Sequence, residues 1–93
     1  MATLEKQIET KCKVIAERHG CMLRKVVSPG FTGWPDRQLL MRPGKIIFME
    51  FKRPGKKPTL RQAFVMEQIR AFGFDVYKVD NVEDFKDILH ANL

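Results

Sequence analysis

Ninety-three residues are enough chain for one small domain, residues 1–93, with one core. With 44% hydrophobic and 30% charged residues the chain is no disordered tract, and no apolar run approaches the ~18 residues of a membrane span. Seventeen Lys and Arg against eleven Asp and Glu leave a net charge of +6, which favours a polyanionic partner, nucleic acid ahead of an anionic membrane, over a merely soluble basic protein.

The opening Met1-Ala2-Thr3-Leu4-Glu5-Lys6 has no apolar signal core, so the expected compartment is the cytoplasm. Cys12 and Cys21 are then expected as reduced core thiols. A zinc site from Cys12, His19, Cys21 and His90 is set aside, because neither a C-x2-C nor an H-x3-H pairing is present.

Taken in order, residues 3–19 predict a helix. Leu4, Ile8, Cys12, Ile15 and Ala16 recur at helical spacing, Thr3 suits the N-cap, and Gly20 ends it. Glu5 falls inside the apolar arc and Glu9 at its edge. The helix dipole accounts for Glu5, whereas Glu9 lies a turn further in and reads by pattern as an ordinary solvated flank. Residues 21–28 predict a first strand. A turn-rich loop follows, Ser28-Pro29-Gly30-Phe31-Thr32-Gly33-Trp34-Pro35, in which Pro35 stiffens the backbone just before Asp36.

Residues 36–41 predict a second strand, and Arg42-Pro43-Gly44-Lys45 has the Pro and Gly positions of a type II turn. Lys45-Ile46-Ile47-Phe48-Met49-Glu50-Phe51-Lys52 is the most apolar run of the chain and reads as a strand buried on both faces. The two strands should form an antiparallel hairpin that carries Asp36 beside Glu50 and Lys52. A basic loop, Arg53-Pro54-Gly55-Lys56-Lys57-Pro58, cannot continue the strand. Thr59-Leu60-Arg61-Gln62 matches a capping box and opens a second helix running to about residue 72. Its apolar residues occupy more than one face, as in a helix buried on two sides or taking part in an interface. Residues 74–79 predict a fourth strand, and Asn81 caps a last helix packed by Phe85, Ile88 and Leu89. The order α-β-β-β-α-β-α predicts an α/β fold with a mixed central sheet.

The chemistry concentrates at the end of the apolar strand. Glu50 and Lys52, two residues apart, share a strand face, and burying two charges costs several kcal/mol per ion unless they pair or bind something. Asp36, Glu50 and Lys52 together are two hard carboxylates and an ammonium, a seat suited to Mg2+ or Mn2+ and a phosphate oxygen. Arg37, Arg53, Lys56, Lys57 and Arg61 flank the trio, where a phosphodiester backbone would lie. An ordinary strand-end salt bridge is the plain alternative, because E-x-K on its own is common.

These residues carry a resemblance. Pro35-Asp36 with Glu50-Phe51-Lys52 resembles the PD-(D/E)xK nuclease motif, and the wider pattern is similar to its VRR-NUC branch, notably small stand-alone forms from phages and bacteria. The match runs from Glu5-Lys6-Gln7-Ile8-Glu9 through Ser28-Pro29-Gly30, Gly33-x-Pro35-Asp36-Arg37 and Glu50-Phe51-Lys52. It continues through Pro54-Gly55-Lys56-Lys57-Pro58 and Gln62 to Gly73-Phe74-x-Val76-Tyr77. The resemblance implies a restriction-endonuclease-like core and metal-dependent hydrolysis of DNA to 5′-phosphate and 3′-hydroxyl ends. It implies Asp36, Glu50 and the Phe51 carbonyl as metal ligands, with Lys52 orienting water. Glu9 matches a helix-one glutamate that reaches the metal, although Glu5 matches a recurrent position too. Gln62 matches a glutamine near the active site, though the capping box explains it as well. A homodimer that cuts branched DNA such as four-way (Holliday) junctions is implied, with Trp34 facing DNA, a partner subunit or the core. The rival of another class is a DNA-binding module that keeps this fold without catalysis.

Overall fold

Sequence pattern put the weight on the apolar run, and in the computed structural model, which describes residues 2–93, that run is a central strand of the sheet. The elements are α1 (Leu4–Arg18), β1 (Met22–Lys25), β2 (Arg37–Met41), β3 (Lys45–Phe51), α2 (Leu60–Ala71), β4 (Asp75–Val79) and α3 (Val82–Asn92). Strand order follows the chain, β1-β2-β3-β4. The first three strands are antiparallel, and β4 runs parallel to β3 because the α2 crossover returns the chain to the same end. The result is the mixed sheet and the α-β-β-β-α-β-α order expected.

Alternation along β3 divides the interior. Ile47, Met49 and Phe51 join Leu23, Leu39 and Met41 under α1 and α3, packed with Cys12, Ala16, Phe85 and Leu89. Phe48 packs on the other side with Val76 and with Val65, Met66 and Ile69 of α2. The sheet therefore separates two apolar clusters where one core was expected, since a two-faced strand needs helices on both sides. Both cysteines are free and buried. Burial, with the charge of Glu9 beside it, pushes the Cys12 thiol up to about 12, which leaves it inert. No described helix is long and apolar enough to cross a membrane.

Two local expectations are corrected. The first strand spans four residues instead of eight, and only the Val26 N–H, donating to the Asp36 carbonyl at 2.9 Å, carries the pairing further. The hairpin turn is not the two-residue type II form: Met41 pairs with Lys45, so Arg42, Pro43 and Gly44 make a three-residue loop, with a cis Arg42–Pro43 peptide and Gly44 at φ +67°. Type II twist splays hairpin strands, and a left-handed residue closing a three-residue loop restores their right-handed twist. The all-round apolar character of α2 resolves unevenly. One face packs on the sheet, while Leu60 (92% exposed), Phe64 (55%) and Phe72 (84%) point outward.

Candidate active site

The hairpin register decides where the site lies. Arg37 pairs with Met49, so one step beyond β2 sets Asp36 opposite Glu50. Pro35 is fully buried and holds the corner from behind. The Asp36 carbonyl accepts the Val26 N–H at 2.9 Å and an Arg37 guanidinium N–H at 2.8 Å. Its carboxylate Oδ1 accepts the Phe51 N–H at 3.3 Å, which stitches the start of β2 to the end of β3. Lys52 follows, its backbone N–H donating to the Val79 carbonyl at 2.9 Å and its Nζ lying 3.9 Å from Glu50 Oε2. Asp36, Glu50 and Lys52 thus converge at one end of the most buried strand.

That convergence is electrostatically unfinished. Burial first, and the charge of Asp36 second, push the Glu50 carboxyl up to about 7, with Lys52 opposing from the edge of ion-pair range. Burial also raises the Asp36 carboxyl above its usual range, against the Phe51 N–H and the Arg37 charge. Two carboxylates side by side, each disfavoured as an anion, want more positive charge than the Lys52 ammonium, 3.9 Å from Glu50, and the Arg37 guanidinium, 3.7 Å from Asp36, supply between them. The donor set fits a hard divalent cation: carboxylate oxygens from Asp36 and Glu50, with the Phe51 carbonyl next in the chain. Among the described residues no third carboxylate, histidine or cysteine joins them in a metal-holding group.

The chain and its fold have counterparts among known proteins. The chain is 38% identical over 89 residues to "Putative nuclease p44" of Acyrthosiphon pisum secondary endosymbiont phage 1, covering 96% of this chain and 90% of that protein. A solved structure described as a VRR_NUC domain matches with a TM-score of 0.90 and 27% identity, over 99% of this chain and 100% of that one. The chain belongs to the VRR-NUC nuclease family. No family model matches it.

Within this VRR-NUC chain the remaining expected residues fare differently. Glu9, expected at the metal, makes an ion pair with Arg37 and a 3.1 Å contact with Lys6, and its charge reaches Asp36. Burial opposes its ionised form, but hydrogen bonds from Arg37 and Lys6 prevail and hold its carboxyl below the usual range. Arg37, expected against DNA, is consequently buried, linking Glu9 to the Asp36 carbonyl. The capping box is present: the Thr59 N–H donates to Gln62 Oε1 at 2.9 Å, and the Gln62 N–H donates to Thr59 Oγ1 at 3.1 Å. Arg61 is held between the rings of Phe31 and Phe64 and donates to the Thr32 carbonyl at 3.0 Å. It fastens the residue 31–34 loop to α2. Gly33, at φ +90°, allows that approach, since a Cβ there would meet Arg61 Cγ at 2.9 Å and its carbonyl oxygen at 3.1 Å. Trp34 packs edge-on against Phe31 and Phe48, beside the α2 cluster.

Arg53, Lys56 and Lys57 remain exposed beside the site. Asp80, which pattern reading passed over, anchors their loop by accepting the Gly55 N–H at 3.1 Å and the Lys78 ammonium at 3.0 Å. A carboxylate one residue past an alternating strand was the only signal it offered.

Proposed function

We propose that this chain is a Mg2+- or Mn2+-dependent endonuclease that hydrolyses phosphodiester bonds in DNA, selects branched structures such as four-way junctions, and works as a homodimer. The observation that carries the reading is the Asp36–Glu50 pair at the end of β3, Glu50 buried and Asp36 half-buried, whose carboxyls burial raises even with Lys52 and Arg37 within ion-pair range. Asp36, Glu50 and the Phe51 carbonyl would hold a divalent ion, which would supply Lewis acidity and positive charge for the scissile phosphate. The chain's own groups do the rest. Lys52, 9% exposed and paired only loosely with Glu50, has ammonium donors left to orient the attacking water or offset phosphate charge.

Rigidity follows from the ladder. Asp36 is bonded through its carbonyl and its carboxylate, so the donors keep their spacing without reorganisation when substrate arrives. Glu9 acts as a positioning residue through Arg37, and Gln62, its Oε1 already spent on the helix cap, has its amide N–H groups left for substrate. Arg53, Lys56 and Lys57 take the DNA backbone on the β3 side, and hydrolysis leaves 5′-phosphate and 3′-hydroxyl ends. The outward Leu60, Phe64 and Phe72 of α2 favour a second copy of the chain as partner, and a two-fold pair presents two identical sites to a junction.

Incision of labelled four-way junction, flap and linear duplex DNA, with Mg2+, Mn2+ or chelator, tests the reading. Wild type is expected to cut the junction in either metal and not in chelator, while Lys52→Ala and Asp36→Ala bind without cutting. Wild-type protein that binds junctions but cuts nothing would sink the enzyme reading in favour of a DNA-binding module. A monomer at micromolar concentration would remove paired incision.

A further inference from the structure

The basic loop covers only one side of the Asp36–Glu50 pair. On the other side α1 and β1 enclose a cleft of about 310 Å3, lined by Lys6, Thr10 and Lys13 from the helix, and by Lys25 and Arg37 from the sheet, with Glu9 in its wall. Its four cations against one carboxylate leave a surplus of +3. Glu9 satisfies two of the four, Lys6 and Arg37. Lys13 and Lys25 have no ion-pair partner among the described residues, and both are exposed. One comes from the helix and the other from the strand, so the cleft brings together two uncommitted ammonium groups.

Its position gives the surplus a use. Lys25 pairs in register with Arg37, the residue after Asp36, so the cleft opens one step from the candidate metal ligands. Lys6, Thr10 and Lys13 follow helical spacing, and seven residues at about 1.5 Å each extend the stripe roughly 10 Å, about three nucleotides of axial rise. A second cleft of about 370 Å3, lined by Arg53 and Lys56 with Thr3, Leu4 and Glu5, lies at the previous turn of the same helix. The candidate site is therefore bracketed by cations along α1.

We propose that the α1–β1 cleft is a second phosphate-binding subsite, in which Lys13 and Lys25 hold the nucleic-acid backbone on the side of the cut opposite the Arg53–Pro58 loop. The proposal rests on the nuclease reading and adds to it the path of the cleaved strand. Both lysines act as point charges on phosphate oxygens, so they contribute affinity without base preference.

The test is the salt dependence of binding to a labelled DNA duplex in chelator, for wild type and the double variant Lys13→Gln, Lys25→Gln. Each phosphate contact contributes about 0.9 to the slope of log affinity against log salt, so losing two lowers the slope by about 1.8. The affinity lost between roughly 50 and 200 mM salt should then shrink about tenfold. Lys13→Arg with Lys25→Arg should keep the wild-type slope, and so should the control pair Lys11→Gln, Lys86→Gln on another surface. A Gln pair whose slope equals wild type, in a protein that still cuts DNA, overturns the subsite and leaves the nuclease reading standing. Wild-type protein that binds no DNA at all removes both.

Discussion

Replacing Glu50 by Gln should stabilise the metal-free protein at alkaline pH while destroying its activity. Glu50 is 5% exposed, and its carboxyl is raised from an ordinary 4.5 to about 7 by burial and then by Asp36. A carboxyl raised on folding binds its proton more tightly in the native state, so its contribution is harmless at low pH and turns unfavourable as pH climbs from about 4.5 through about 7. The gap of about 2.5 pH units corresponds to about 3 kcal/mol near pH 8, as an upper estimate. Glutamine keeps the shape and carries no charge. Metal-free Glu50→Gln should therefore melt higher than wild type near pH 8, by roughly 15 °C if the full amount is realised, and about level with it near pH 4. Far-UV circular dichroism melts in chelator at several pH values measure the difference. Saturating Mg2+ should raise the wild-type midpoint near pH 8 and leave the variant's unmoved, because a ligand bound only by the native state stabilises it. A variant less stable than wild type near pH 8, or a difference that does not change with pH, would refute the picture of two carboxylates in electrostatic conflict.

The same geometry sets other outcomes. Glu9→Gln removes one of the two carboxylates paired with buried Arg37, leaving Asp36 at 3.7 Å, and should cost about 2 kcal/mol in urea unfolding, part of which Arg37→Met in the same chain should return. Gly33→Ala forces a side chain into Arg61 at φ +90° and should cost about 2 kcal/mol by the same measurement, with the residue 31–34 loop the first segment to lose hydrogen-exchange protection. Gln62→Ala should lose about 1 kcal/mol with the capping box, whereas Gln62→Glu keeps the box and its stability. An incision assay on the Glu variant then reads the catalytic share of Gln62 alone.

Much of the architecture was legible because its signals are local. An apolar octapeptide, a Pro-Gly turn and a capping box each fix one element, and the hairpin they imply carries Asp36 to Glu50 by register alone. What pattern could not show were contacts that a distant partner decides. Glu9 and Arg37 are 28 positions apart, and no periodicity announces that an edge carboxylate on a helix will neutralise a buried guanidinium on the sheet. Arg61 was expected beside the phosphodiester backbone, and the two rings and the Thr32 carbonyl that hold it lie elsewhere in the sequence. Lys13 and Lys25 lie in the expected first helix and first strand, and neither stands out by pattern. Only the packing of α1 against β1 brings them to one cleft.

Trp34, the one tryptophan of the chain, has its ring edge-on to Phe31 at 5.7 Å and to Phe48 at 5.6 Å between centroids. It thus stands where the loop, the α2 layer and the central strand meet, and its indole borders a hollow shared with Phe31 and Phe72. The molecule carries its own fluorophore at the joint between the loop leading to Asp36 and the exposed apolar residues of α2. Its emission should shift to the red when α2 lifts from the sheet, and should respond to dilution if a partner subunit covers that hollow. Loosening of this layer and loss of a partner can then be followed by light alone, without a label.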